Sequence, residues 1–253
     1  MLPIPPDPVW VSDWLEHEQP GYDAIVGHVL ATGHGHLWVD RTARPRAVLA
    51  ETGGNYLLTG NPEAIDPADL RPLITGFLAT PSRFLPLLHA AFEQVIGWDR
   101  LVYASPDVPL GSQPVPDDRS VRRLIPADTA AVRGLHPDMA WISKTWDGPG
   151  GLAGSGHGWG AFHDGGLVAV ACTFFAGARH HELGVATHPD HRRRGLATAC
   201  AWHAMRHAAS SGRIASWSTS RDNHASQRMA DKLGFTLVRH DALYAIGIRP
   251  PQP

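Results

Sequence analysis

Three consecutive arginines and a glycine, Arg192-Arg193-Arg194-Gly195, stand between a short alternating apolar run and an alanine-rich run free of Gly and Pro. The first run, His181 to Thr187, sets Leu183 and Val185 on one side as a strand does, and the second, Leu196 to Ala209, has the make-up of a helix. Strand end, basic loop and helix start together form a grip for a pyrophosphate. The first-turn N–H groups of a helix lack intrahelical partners and carry about half a positive charge from the macrodipole. Gly195 lets the backbone approach a ligand closely, and the arginines add countercharge and planar donor forks. Alone, the short R-x-x-G-x-A pattern also suits a solvated basic turn before an ordinary helix.

A second segment favours the grip: Asn223-His224-Ala225-Ser226-Gln227-Arg228-Met229-Ala230-Asp231-Lys232-Leu233-Gly234-Phe235. Together the two resemble the GNAT acyltransferase superfamily. Arg192, Gly195 and Ala197 match its R/Q-x-x-G-x-G/A loop, and Asn223, Ser226, Lys232, Leu233, Gly234 and Phe235 match its N-x-x-(A/S)…K-L-G-F helix. The resemblance covers about residues 119–247. It implies an acyl-CoA N-acyltransferase fold with acetyl-CoA as donor, its pyrophosphate held by Arg192, Arg193, Arg194, Gly195, Leu196, Ala197 and Thr198. The pantetheine arm would lie along Val185, Ala186 and Thr187, and Asn223 and Ser226 would contact the coenzyme, Asn223 also serving as a helix N-cap.

The implied reaction is direct attack of an amine on the acyl carbonyl, with no covalent enzyme intermediate. An alkylamine is mostly protonated at neutral pH, so a base is useful. Counting back from Arg192, the family's usual base position falls on His181 or, shifted by one, on Glu182. These neighbours point to opposite faces of a strand, so only one can see the acceptor. Histidine titrates in the useful range unaided and glutamate needs its pKa raised, while the resemblance favours a carboxylate. Many relatives carry an acidic tyrosine where this chain has Ala230. Tyr244 is the substitute candidate, with Ser220 or Ser226 as hydroxyls for the sulfur; Tyr244 equally suits a strand-packing role. The acceptor segment implied is 141–159, rich in Trp and Gly, which suggests apolar walls on a mobile loop: Trp141, Trp146 and Asp147 are the substrate-binding candidates, with Asp138 as a further carboxylate.

Composition sets bounds on these readings. A chain of 253 residues allows one large or two small domains, and a formal net charge of −2 argues against general nucleic-acid binding. The chain holds no apolar run of bilayer length, and its start, Met1-Leu2-Pro3-Ile4-Pro5-Pro6, is broken by proline, so membrane association and export are not expected and a cytoplasmic place is. Cys172 and Cys200 read as buried small apolar residues in a reducing compartment. Sixteen histidines invite a metal reading, but their spacing supplies only the pair His203/His207 on one helix face, and no metal is expected.

The elements that must position this chemistry follow from periodicity. Four prolines within 105–116 mark a linker, placed at 106–118, between an N-terminal α+β domain (1–105) and the acetyltransferase-like domain (119–253). In the second, strands are predicted at 121–124, 159–163, 167–175, 181–187, 213–219 and 243–246, with a hairpin at Asp164-Gly165-Gly166. The fold class expected is a mixed α/β sheet covered by helices. In the first, strands are predicted at 35–40, 46–51, 55–59 and 100–104, with helices at 67–79 and 84–96. That half reads either as a decayed second acyltransferase-like unit or as a smaller cap; without residue-level self-similarity the cap is slightly preferred.

Two functions follow. One is an N-acetyltransferase acting on a small-molecule amine, since no acidic run is present to hold a basic protein tail. The other is a coenzyme-binding regulatory or scaffold module that has lost turnover, which Ala230 permits. Homodimerisation stays open.

Overall fold

The computed structural model describes residues 1–5, 17–105 and 120–251; the linker expected at 106–118 lies outside the described residues. Among the described residues twelve strands form one sheet. They are β1 (Leu2–Ile4), β2 (His36–Val39), β3 (Ala47–Thr52), β4 (Asn55–Gly60), β5 (Gly76–Ala79), β6 (Ile96–Ser105), β7 (Ser120–Arg123), β8 (Gly158–His163), β9 (Gly166–Ala176), β10 (His180–Thr187), β11 (Ile214–Ser220) and β12 (Thr236–Ile246). The α-helices are α1 (Ala24–Thr32), α2 (Pro67–Leu70), α3 (Leu85–Ala91), α4 (Thr129–Arg133), α5 (Pro149–Gly154), α6 (Leu196–Ser210) and α7 (His224–Lys232).

The order across the sheet is β1-β2-β3-β4-β5-β12-β6-β11-β10-β9-β8-β7. Counted inward from either edge it is one pattern, each strand of the first half answered by the strand six later. The pairing senses also agree: β4–β5 and β10–β11 are parallel, and the neighbouring pairs are antiparallel. At the centre the two halves exchange a strand, because β6 lies between β11 and β12, and β12 between β5 and β6. The N-terminal half is thus built on the same strand plan as the C-terminal half, the plan that the preferred reading as a small cap did not include.

Both sheet faces are covered. On one, α6 and α7 pack with Leu183, Ala215, Trp217 and Tyr103, while α2 and α3 enclose Tyr56, Leu58 and Leu78. On the other, the 3-10 helix Pro137–Trp146 and α5 cover Val170 and Cys172, and α1 covers Ala50, Leu57 and Phe175. Among the described residues no helix is long and apolar enough to cross a membrane.

Most elements fall where periodicity sets them, including the hairpin, whose Asp164 (φ 48) and Gly165 (φ 78) take the left-handed values of a type I′ turn. Two N-terminal helices are shorter than predicted. Leu70, Leu73, Ile74, Phe77 and Leu78 have helical spacing, yet α2 ends at Leu70 and residues 76–79 form β5. At Gly76 (φ 150) a Cβ would stand 2.1 Å from Gly54 O, a turn no helix continues through, and β4 and β12 pair with the strand beyond it. Likewise α3 stops at Ala91, and residues from Ile96 enter the central strand β6.

Candidate active site

Strands β10 and β11 are parallel neighbours only at His180↔Ile214, His181↔Ala215 and Glu182↔Ser216; beyond them β10 pairs with β9 alone and β11 with β6 alone. The parting coincides with a register shift against β9 between Glu182 and Leu183. Val185, Ala186 and Thr187 therefore flank a cleft on the β11 side with their backbone free of that neighbour. At the end of β10 the chain makes a 3-10 turn, Pro189–His191, tied by the Asp190 N–H to His188 Nδ1 at 3.3 Å. Arg193 (φ 61) and Gly195 (φ 76) then take left-handed conformations, and α6 begins at Leu196 with no side-chain cap. Its first-turn N–H groups are left for a ligand, and Arg192, Arg193 and Arg194 are exposed around them with no carboxylate within 4 Å among the described residues. These residues fit the pyrophosphate and arm of a coenzyme.

Asn223 is the N-cap of α7, its side chain accepting the Ser226 N–H at 3.1 Å. Ser226 Oγ in turn accepts Trp217 Nε1–H at 2.9 Å. Ala230 is 0 % exposed in the core with Trp217 and Phe235, whose rings stand 5.7 Å apart, so the space a tyrosine would take is filled.

The two base candidates separate as alternation requires. Glu182, 4 % exposed, accepts Ser216 Oγ–H at 2.5 Å. Burial raises its pKa, opposed by Ser216, Ser218, Arg100 and Arg239. Tyr22 stands close enough for its own pKa to feel Glu182, though burial is what chiefly drives it to about 12, and its hydroxyl donates to Asn55 Oδ1 at 2.9 Å. His181 joins a different compartment, a cavity of about 530 Å³ whose lining includes His34, Trp146, His157, His207 and Arg213. Burial, then His157 and His207, lower its pKa to about 3, which leaves it neutral and a poor base at neutral pH. Among the described residues no group of three His, Cys, Asp or Glu side chains is placed to hold a metal ion.

The other acid and acceptor candidates lie elsewhere. Tyr244 packs against the N-terminal core beside β5, paired with Leu78 and Gly97, and is not brought to the cleft. The segment expected as a mobile loop is the 3-10 helix Pro137–Trp146 followed by α5. Trp146, 3 % exposed, donates Nε1–H to Thr173 O at 2.8 Å, and Trp141 sets its ring edge against Phe174. Asp147 caps the 3-10 helix in an exposed left-handed conformation, and Asp138 is exposed beside His136. Neither carboxylate is among the groups that face Glu182.

The residues that do face it include several missed by sequence reasoning. Arg100 comes from β6, Arg239 from β12 and Tyr22 from the segment before α1. Register puts Glu182, Ser216, Ser218, Arg100, Arg239 and Asp241 on one sheet face. No local spacing signals this, because the strand exchange assembles it. The matching place in the N-terminal half, third in the parallel pairing, holds Leu57, and β4 is followed by Asn61-Pro62-Glu63-Ala64 and the four-residue α2. That half lacks both the carboxylate and the basic grip.

Comparison with known proteins bears on the family and the fold. Residues 129–244 match the GNAT acetyltransferase family profile. An N-acetyltransferase of Streptomyces virginiae, described as uncharacterised and lying in the mutA 5′ region, is 40 % identical over 202 residues, 79 % of this chain and 85 % of that protein. A GCN5-related N-acetyltransferase-like protein from Streptococcus suis superposes with a TM-score of 0.69 at 18 % identity, covering 93 % of this chain and 96 % of that one. A tandem GNAT protein from the clavulanic acid biosynthesis pathway covers 99 % of both chains with a TM-score of 0.58 at 15 % identity.

Proposed function

The chain belongs to the GNAT acetyltransferase family, and from that premise we propose that it transfers an acetyl group from acetyl-CoA to the amine of a small molecule, by direct attack, in its C-terminal half. The observation that carries this reading is the parting of β10 and β11 immediately after Glu182, with the basic loop at the far end of the same strand. Arg192, Arg194 and the first-turn N–H groups of α6 hold the pyrophosphate, and 185–187 offer their backbone to the pantetheine arm. Glu182 takes the proton from the acceptor amine as its nitrogen bonds to the acyl carbon and the carbon–sulfur bond breaks. The N-terminal half (1–105) serves the C-terminal half (119–253) as a partner unit without a donor site of its own. A cytoplasmic place for the activity goes with the proposed acetyl-CoA donor.

A missing acid is tolerable on energetic grounds. A thiol of pKa near 8.5 sits about 1.5 units above neutral pH, so departure as a thiolate costs roughly 2 kcal/mol more than departure as a thiol. Ala230 sealed in the core and Glu182 only 4 % exposed favour the second reading, a coenzyme-binding regulatory module without turnover. The test is acetyl-CoA calorimetry on the wild type and an R192A/R194A variant, with thiol release over an amine panel. The enzyme reading expects binding about tenfold or more weaker in the variant and release on some amines; binding without release on any amine supports the regulatory reading, and no binding sinks both.

A further inference from the structure

The compartment around Glu182 holds polar atoms that nothing in the protein satisfies. Arg100 Nη2 donates to Ser218 O at 3.1 Å and its guanidinium lies 4.4 Å over the Trp98 ring, but Nε is buried without a partner. Among the described residues no carboxylate lies within 4 Å of this guanidinium. Arg239 is paired with Asp241 at 3.0 Å and donates to Pro20 O at 2.9 Å, yet its Nη1 is also buried and unpaired. The Ser218 hydroxyl is buried and turned to Glu182, whose pKa it lowers.

Unpaired buried donors are rare in native proteins, and they are costly, more so when charged. Two charged donors, Arg100 Nε and Arg239 Nη1, without partners on the face that carries Glu182 are a binding set that calls for an acceptor-only group. A carboxylate meets that need: it brings oxygens and no donors, and it matches the planar guanidinium fork. A phosphate dianion suits the place less well, because Glu182 and Asp241 share the compartment.

Resting on the reading that Glu182 serves an amine acceptor, we propose that this acceptor is an amino-carboxylate, a free amino acid or a close relative, whose carboxylate is bound by Arg100 and whose amine faces Glu182. The N-terminal half then contributes to recognition directly, since Arg100 lies on the exchanged strand β6. The neighbouring Arg239 completes the carboxylate's surroundings.

The test compares matched acceptors on the wild type by thiol release: glycine against methylamine, L-alanine and β-alanine against ethylamine, 4-aminobutyrate against propylamine, and L-lysine against cadaverine. The proposal expects the preferred amino-carboxylate to exceed its decarboxylated partner in kcat/KM by about 100-fold, from a charge-assisted contact worth roughly 2–3 kcal/mol. Arg100→Met and Arg100→Lys should bring that ratio toward 1, chiefly by raising KM for the carboxylate-bearing member. Equal or better use of decarboxylated amines, a preference for amine phosphates, or variants that lower both members of a pair alike would overturn the proposal while leaving acetyl transfer intact. Absence of release on every acceptor counts instead against the enzyme reading. In that event calorimetry with the same amino-carboxylates in the presence of CoA still decides: binding weakened tenfold or more in Arg100→Lys supports the proposal, and no binding overturns it.

Discussion

At the scale of single residues the site depends on one carboxylate kept out of water. Burial holds the Glu182 pKa above the ordinary carboxylate range, which suits a base that must take a proton from an ammonium, while Ser216, Ser218 and the two arginines limit the rise. The sign of the consequence is fixed. Folding favours the protonated form, so the stability from this group is complete below the ordinary carboxylate range and declines as pH rises through the folded value. As the proposed base, Glu182 would work only when deprotonated, so the rate should fall as pH falls through that same value. Glu182→Gln should lower kcat/KM by about 10²–10⁴-fold and remove the acid limb of its pH profile, and at pH 7.5 its Tm should equal or exceed that of the wild type. A pH–rate series with thermal melts checks both; lower Tm together with lower activity would recast Glu182 as a structural residue. His181, its neighbour in sequence, illustrates why alternation alone left two candidates. Which face carries the cleft is set by strands far away in the chain, and only their placement shows that His181 belongs to the histidine-lined cavity.

At the scale of elements, what was legible is what is local. The loop 192–195, the Asn223 cap and the Asp164-Gly165 turn each need particular residues within a few positions, and those residues are present. The helix predicted over 67–79 failed because the apolar spacing fits either state, and sheet partners outside the window decide. Another element-level feature gave no signal at all. Glu18, 3 % exposed, accepts the N–H groups of Ala178, Arg179 and His180 at 2.8, 2.8 and 2.7 Å, fastening the turn that feeds β10 to the segment before α1. Glu18, two positions after Glu16, cannot be read as such a clasp, since its partners are backbone groups some 160 positions away. Glu18→Ala would strand three donors. A loss on the order of 3 kcal/mol is expected, seen as a Tm lower by roughly 6–12 °C for a chain of this size. Glu18→Gln, which keeps an acceptor oxygen, should recover part of it. A Tm unchanged in Glu18→Ala would show that the turn is held by its strands alone.

At the scale of the whole molecule, the exchange of β6 and β12 turns two similar halves into one object. Pairing between these strands runs from Thr236↔Ala104 to Ala245↔Ile96, and β6 also carries all of β11 but its first residue, from Ala215↔Ser105 to Ser220↔Arg100. Without residues 1–105 the sheet would lose the neighbour of β11 and both neighbours of β12, exposing strand edges of the kind that aggregate. Arg100 and Tyr22 would leave with them, and the wall facing Glu182 would be gone. Residues 119–253 produced alone should therefore be insoluble or lack a cooperative melt, whereas co-production with residues 1–105 should restore a single transition and acetyl-CoA binding near the value for the full chain. Solubility, melting and calorimetry of the two preparations decide the matter. If the C-terminal half alone melts cooperatively and binds acetyl-CoA as tightly, β12 can take the place of β6 beside β11, and the exchange is then a feature of acceptor recognition and not a condition of folding. If it neither melts nor binds, the two halves fold as a unit, and the half without a basic grip is needed because the sheet and the proposed site cannot be completed without it.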